Sequence, residues 1–317
     1  MSAPLLQVEH LVKHFPARSG TLRAVDDVSF SIDSGRTLGL VGESGSGKST
    51  LGRALLRLIE PTAGSIRFAG EELTSLRPAA MKPFRRQMQI VFQDPYASLD
   101  PQMRVEQIVA EPLLIHRVGS RKERQAEARS LLARVGLPAA AARRFPREFS
   151  GGQRQRIAIA RALALAPKLI VCDEAVSALD VSIQAQILNL LRDLQRDLSL
   201  SYLFISHDLA VVREMADRVA VMYVGKIVET GDAESVFDRP RHPYTVALRS
   251  AVPEPDPARE RTRQRIVLHG ELPSPLNPPS GCRFRTRCWK PQALCAEVEP
   301  PLRELAPGHL AACHFPE

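Results

Sequence analysis

The sequence predicts an α/β protein, and three observations predict it. Short apolar runs of strand length recur at Thr37–Val41, Leu169–Cys172 and Tyr202–Ile205. Each ends abruptly in residues that carry chemistry: glycines after the first, Asp173-Glu174 after the second, Ser206-His207-Asp208 after the third. Between them lie longer stretches with helical periodicity, the alternation expected of a layered α/β fold.

Taken in order, residues 5–36 alternate apolar and polar and read as an antiparallel β region. The run Thr37–Val41 is a buried strand, followed by a glycine-rich turn and a helix pattern from Lys48 to about Ile59. From Gln93 to Ser150 the pattern is helical. Ser120 and Glu123 have capping-box spacing, and Gly136 then Pro138 stop that helix. Ser150 and Gln153 repeat the capping spacing before a helix over Arg154–Ala166. Ser182–Leu198 places Ile183, Ile187, Leu190, Leu191, Leu194 and Leu198 on one face, a core-packing stripe. Val219–Tyr223 and Ile227–Glu229 flank a hairpin signal at Val224-Gly225-Lys226. Near residue 235 the composition shifts. Pro253, Pro255, Pro257, Pro273, Pro275, Pro278 and Pro279 mark loops rather than a compact fold.

The chemistry begins at Gly42-Glu43-Ser44-Gly45-Ser46-Gly47-Lys48-Ser49, with Thr50 next. This fits the phosphate-loop pattern, and its strand–turn–helix context is the one that pattern requires. Gly42, Gly45 and Gly47 allow positive φ and a close backbone approach to phosphate oxygens. Successive N–H groups at the helix start then form an anion nest. Lys48 is expected to reach the β- and γ-phosphates and Ser49 to ligate Mg²⁺. Asp173, at a strand's carboxyl end, suits the same cation, and Glu174 suits a base that takes a proton from attacking water. His207 ends a third strand and is placed to hydrogen-bond the γ-phosphate. The structural alternatives are solvent-facing strand-end carboxylates and an ordinary strand-end histidine. Ser150-Gly151-Gly152-Gln153 reads as a second phosphate grip, since two glycines are costly in a first helical turn if capping is their only task.

These motifs resemble the ATP-binding-cassette (ABC) family, in matching order: Gly42–Ser49, Gln93, Phe149-Ser150-Gly151-Gly152-Gln153, Asp173-Glu174, Ser177-Ala178-Leu179-Asp180 and His207. Phe149 departs from the family's usual Leu. The resemblance covers roughly residues 5–235. It implies an α/β P-loop NTPase of ABC type, with a mixed β core, an antiparallel β region and a helical subdomain inserted at about 94–165. A small Cys/Pro-rich extension follows at 236–317. It further implies that two cassettes sit head to tail, each ATP lying between one copy's phosphate loop and the other's Ser150–Gln153 segment. Gln93 would touch Mg²⁺ and sense a membrane partner, Asp180 would signal across the dimer, and Phe15 would stack on adenine; an ordinary core Phe is the alternative for Phe15. A narrower resemblance, to the ATPase subunits of dipeptide and oligopeptide importers, rests on Gln93–Pro101, Asp180–Leu188, His242-Pro243-Tyr244-Thr245 and the Cys-rich tail. The stretch Asp173–Asp180 looks more like the F-type subunit than the D-type. The implied partners are a second ATPase subunit, two permeases and, indirectly, a solute-binding protein.

Composition sets the remaining bounds. With 317 residues and 44% hydrophobic content, the chain can bury a proper core. No apolar run reaches 18 residues, because Ile157–Cys172 is broken by Arg161 and Lys168, so no transmembrane helix is expected. No secretory leader is visible, and the expected location is the cytoplasmic face of a membrane, as a peripheral subunit. A net charge of +8 permits nucleic-acid binding, but aromatics are only 5% and no basic–aromatic stripe stands out, so no nucleic-acid partner is expected. Cys172 reads as a small core residue. Cys282, Cys288, Cys295 and Cys313 are open to several readings: disulfides, zinc, free thiols, or a [4Fe–4S] cluster charge-balanced by Arg283, Arg285, Arg287 and Lys290. The importer resemblance implies the cluster in some members. The expected activity is therefore ATP hydrolysis energising peptide import. The rivals are a non-transport ABC ATPase of translation or DNA repair, an importer ATPase for nickel chelate or glutathione, and a redox-regulatory scaffold.

Overall fold

The computed structural model describes residues 3–18, 20–253 and 265–317; Pro255 and Pro257 lie outside them. The chain forms two compact units. One holds the described residues of Met1–Ile32, Thr37–Thr74 and Phe204–Glu317; the other holds Asp33–Arg36 and Ser75–Leu203.

The first unit opens with β1 (Leu6–Ala17) and β2 (Gly20–Ile32), followed by β3 (Thr37–Val41), α1 (Lys48–Leu55), β4 (Ala63–Phe68) and β5 (Glu71–Glu72). The chain then enters the second unit. There it forms α2 (Lys82–Gln87), β6 (Met88–Val91), α3 (Pro95–Ser98), α4 (Val105–Ile115), α5 (Arg121–Arg134), α6 (Gly151–Leu163), β7 (Leu169–Asp173) and α7 (Val181–Leu198). It returns within β8 (Ser201–Ser206) to add α8 (Leu209–Met215), β9 (Arg218–Tyr223), β10 (Lys226–Asp232), α9 (Ala233–Asp238), α10 (Pro243–Ala251), β11 (Arg303–Ala306) and β12 (His309–Ala311).

In the first unit, β2-β1-β4-β5 make an antiparallel sheet, as the alternation in residues 5–36 predicts. Its apolar residues Leu6, Val8, Leu11, Val25 and Val28 are buried. A second set of strands runs in the order β11-β12-β10-β9-β3, with β3 and β9 parallel. All five residues of β3 are buried, which explains why its sequence is apolar throughout rather than alternating. The β9–β10 hairpin pairs Tyr223 with Lys226, as predicted. Both its turn residues, Val224 (φ 42°) and Gly225 (φ 82°), take positive φ, the geometry of the primed turns that match strand twist.

The second unit pairs β6 with β7 in parallel and packs α4, α5 and α6 on one another. The Ser120–Glu123 capping box forms at the start of α5, and Gly136 (φ 78°) lies two residues past its end. On α7 the buried residues are Ile187, Leu188, Leu191 and Leu194, whereas Leu198 is 37% exposed. The predicted stripe is thus only partly matched: Leu188 enters the core, Ile183 and Leu190 are half-buried, and Leu198 lies at the helix end, where Ser199 follows in a left-handed conformation. The helix α1 ends four residues before the predicted limit.

The C-terminal extension corrects its sequence reading most. Its described proline-rich stretch, Pro273 to Pro279, is a loop, but the described part of the segment is packed rather than loose. β12 pairs with β10 through Glu229↔Ala311 and Thr230↔Leu310, and β11 pairs with β12. Phe284, Cys295 and Ala311 join the core. The fully buried Glu229 carboxylate fixes this arrangement by accepting hydrogen bonds from the N–H groups of Arg241 (2.7 Å) and His242 (2.8 Å) and meeting the His309 ring (2.7 Å). Two strands this short, flanked by proline, carry too little periodicity to be read from sequence.

Candidate functional site: two half-sites

The first unit carries the phosphate loop. β3 delivers the chain to Gly42, and α1 begins at Lys48 with Gly47 as its N-cap at φ 107°. Gly45 also has positive φ (82°), but Gly42 does not. Gly42 is required for a different reason: a Cβ there would lie 2.1 Å from the Met222 carbonyl oxygen. Lys48 is 3% exposed, and its ammonium donates to the carbonyls of Gly42 (2.7 Å) and Glu43 (2.9 Å). These bonds tie the lysine's charge to the loop that precedes it. Ser44 is exposed, Ser46 is buried, and Ser49 and Thr50 are half-buried. Phe15 sits on β1, half-buried, with the Lys13 ammonium 4.6 Å from its ring centre. It is not a core side chain. His207, just past β8, is exposed.

The second unit carries the acidic and capping residues. Asp173 ends β7 and is 2% exposed. Glu174 follows with φ 49°, a left-handed conformation costly for a residue with a Cβ and typical of constrained sites. Its carbonyl accepts from the Ser177 N–H (3.2 Å) and hydroxyl (3.0 Å), which closes a tight turn around the strained residue. Gln93 Nε2 donates to the Glu174 carboxylate at 2.9 Å, so the two predicted residues are brought together. The segment after Gln93 is pinned to α6: the Arg154 guanidinium stacks 3.5 Å from the Tyr96 ring centre, and Arg161 donates to the Ser98 carbonyl (2.6 Å). Ser150 and Gln153 form the predicted capping box at the start of α6. Gly151 is half-buried, with a would-be Cβ 3.4 Å from Leu179. Gly152 is buried, and a Cβ there would stand 2.4 Å from Ile183 Cγ2, so this glycine has a packing reason, the contact of α6 with α7. Asp180 caps α7 by accepting from the Ile183 N–H (3.0 Å). The Ser182 hydroxyl also donates to it (2.7 Å), and these bonds hold its carboxyl below the usual range.

The [4Fe–4S] cluster, one of the open readings of Cys282, Cys288, Cys295 and Cys313, receives no support. Among the described residues no group of three or more His, Cys, Asp or Glu side chains is arranged to hold a metal ion. Burial, with smaller contributions from the neighbouring cysteines, pushes the Cys282 thiol up to about 11, and burial raises Cys288 and Cys313 as well. None of the described cysteines is in a disulfide. Cys172 is fully buried in β7, as expected of a core residue.

Sequence reasoning missed two contributors to the phosphate loop. The Glu43 N–H donates to the Tyr244 hydroxyl (2.8 Å), and its carboxylate receives the Arg287 guanidinium (3.0 Å to each oxygen). The signals available were the His242–Thr245 motif, which marked a family without indicating a task, and Arg287 itself, which in the sequence reads as charge balance for the tail cysteines rather than as a partner of Glu43.

A glycine-rich strand–turn–helix with its lysine anchored on the loop, together with strand-end carboxylates and a capped Ser-Gly-Gly-Gln helix, defines the class: nucleotide-binding cassettes. The comparisons agree. Residues 25–177 match the ABC transporter family, and residues 228–295 match the oligopeptide/dipeptide transporter C-terminal region. A protein of Brucella ovis named for peptide import ATP binding is 56% identical over 310 residues, covering 98% of this chain and 97% of its own. The oligopeptide transport ATP-binding protein AppF of Bacillus subtilis is 52% identical over 319 residues, covering 98% and 97%. Among solved structures, the dimeric ATP-binding cassette MJ0796 bound to ADP and phosphate aligns with TM-score 0.66 and 28% identity, covering 72% of this chain and 98% of that one. The protein cbiO1 of Clostridium perfringens, part of the ABC transporter complex cbiONQ, aligns with TM-score 0.67 and 27% identity, covering 75% and 92%. The chain belongs to the ABC transporter ATP-binding family, in its peptide and oligopeptide import branch. Among the described residues, no helix is long and apolar enough to cross a membrane.

Proposed function

We propose that this chain is the ATP-hydrolysing subunit of a peptide importer, acting at the cytoplasmic face of a membrane on two permease subunits and paired with a second cassette. One observation carries the reading: a complete phosphate loop and an oligopeptide-transporter C-terminal region occur in one chain that aligns nearly end to end with peptide-import ATPases. The domain division follows it, a cassette over 5–235 and a transporter-specific extension over 236–317.

The residues present fit Mg·ATP. Ser49, Asp173 and the Gln93 amide oxygen are hard oxygen donors of the kind Mg²⁺ takes, and the Gln93 amide nitrogen is already engaged by Glu174. The bound cation would neutralise charge on the β- and γ-phosphates. The loop N–H groups of Glu43–Thr50 and the Lys48 ammonium hold the phosphates. Phe15 offers a half-exposed ring to adenine. Glu174 accepts the proton of attacking water, Gln93 orients its carboxylate, and His207 braces the γ-phosphate. The capped start of α6, Ser150–Gln153, supplies a second set of N–H donors to nucleotide held by a partner cassette, with Asp180 at the same interface. Catalysis on this reading is positioning and electrostatic stabilisation rather than covalent chemistry.

The F-type assignment is part of the proposal; relatives named AppF and YkfD, both 52% identical, do not separate the two subunit types. The test is Glu174→Gln in the chain co-purified with its permeases: Mg·ATP binding is kept and turnover lost. Retained turnover removes Glu174 as the base, and co-purification with ribosomes or DNA instead of membrane proteins removes the transport reading.

A further inference from the structure

Three parts of Glu43 are held at once. Its N–H donates to the Tyr244 hydroxyl (2.8 Å), its carboxylate receives Arg287 at 3.0 Å on each oxygen, and its carbonyl accepts from Lys48 Nζ (2.9 Å). Neither Tyr244 nor Arg287 belongs to a nucleotide-binding motif. Both lie beyond residue 235, in the segment specific to this branch. Their own positions are fixed. Tyr244 is fully buried, its ring 4.6 Å from Tyr223 and 5.5 Å from Phe284, and its backbone N–H is capped by His242 Nδ1 (3.1 Å). The Arg287 side chain is 7% exposed. Four residues earlier, Arg283 bonds the Val224 carbonyl and the Asp26 carboxylate. Val224 and Gly225 form the hairpin turn whose Gly225 N–H donates to the Ser46 carbonyl of the loop (2.8 Å). The extension therefore grips the loop at Glu43 directly and at Ser46 through the hairpin.

We propose that Arg287 and Tyr244 are positioning residues for nucleotide: by fixing Glu43 they fix the carbonyl on which the Lys48 ammonium rests, and so set that ammonium's place over the phosphates. A part-buried, charge-assisted contact in which one guanidinium meets both carboxylate oxygens is among the stronger side-chain interactions. Its loss frees a loop that must be rigid before phosphate arrives, and the ordering is then completed at the expense of binding. The inference rests on the proposal that this loop binds Mg·ATP.

The test is the affinity of the full-length chain for a fluorescent ATP analogue with Mg²⁺, alongside thermal unfolding and, in the importer, steady-state kinetics. Arg287→Ala is expected to weaken binding about ten-fold and raise KM with kcat nearly kept. Arg287→Lys, which can still place one N–H donor between both carboxylate oxygens, should restore most of the affinity. Tyr244→Phe removes only a hydroxyl and should weaken binding several-fold, which keeps the test open if Arg287→Ala folds poorly. The double variant Glu43→Ala/Arg287→Ala should bind no more weakly than the worse single variant, since contacting partners are not additive. Unchanged affinity in folded Arg287→Ala and Tyr244→Phe, or full additivity in the double variant, overturns the proposal while leaving the ATPase reading intact. A wild-type chain that binds no Mg·ATP overturns both.

Discussion

Gly152 separates two explanations for the Ser-Gly-Gly-Gln segment. Alanine there would bring its Cβ to 2.4 Å from Ile183 Cγ2 and 3.7 Å from Ile183 Cβ. The methyl it meets belongs to a β-branched side chain on α7, which in a helix has essentially one χ1 rotamer and cannot swing aside. Overpacking costs about 1–3 kcal/mol, and a 2.4 Å approach to a methyl that cannot swing aside belongs in the upper part of that range, about 2–3 kcal/mol. Replacing a helical glycine by alanine returns up to about 1 kcal/mol. The net expectation for Gly152→Ala is a loss of about 1–2 kcal/mol, seen as a fall of about 0.5–1 M in urea midpoint at a slope near 2 kcal/mol per M. Adding Ile183→Ala removes the colliding methyl and should recover part of that midpoint. Urea denaturation followed by fluorescence and circular dichroism measures both variants, and ATP turnover is read in parallel. A Gly152→Ala chain as stable as wild type, or a double variant no better than the single, refutes the packing argument. Turnover still lost in the recovered double variant assigns the glycine a nucleotide role as well.

Acid should loosen the grip on the phosphate loop. Burial pushes the pKa of His242 down to about 3, whereas an unfolded imidazole takes its proton near 6.5. Between those values the unfolded chain holds the extra proton, so stability falls as pH drops below about 6.5, by about 1.4 kcal/mol per pH unit. Denaturation at pH 7.5 and 5.5 should show this loss in wild type and a smaller one in His242→Asn, whose amide oxygen can still cap α10; equal losses contradict it. Asp26 acts in the same sense at lower pH: burial alone raises its pKa, but bonds from His14 and Arg283 hold it below the ordinary value, so its contribution is present above that value and disappears as pH falls through the depressed one. Glu229→Ala strands the Arg241 and His242 N–H groups and the His309 ring, and should cost about 3 kcal/mol. Faster proteolytic release of the extension would register it, and wild-type resistance would rule it out. Lys48→Ala should abolish measurable binding of Mg·ATP, and undiminished affinity would detach the lysine from the phosphates.

Local chemistry by itself determined the phosphate loop, the strand ends at Asp173 and Glu174, both capping boxes and the β9–β10 hairpin. Each depends on residues close in sequence whose backbone demands are visible in their types, such as Ser120 with Glu123 or Val224 with Gly225. Only the tertiary structure decided why Gly42 is glycine, since the obstacle is the carbonyl of Met222, 180 residues away. It likewise decided that Gly152 faces Ile183, and that Leu188 rather than Leu198 is buried. The order of the tail was also illegible, because β12 is three residues long and gains its stability from β10 and Glu229 rather than from its own pattern. So was the grip on Glu43. In the sequence Arg287 reads only as a cation beside the tail cysteines, until folding carries it across 244 residues to a carboxylate, and the attraction between opposite charges that meet in a part-buried place is a property of that place, not of the sequence around either.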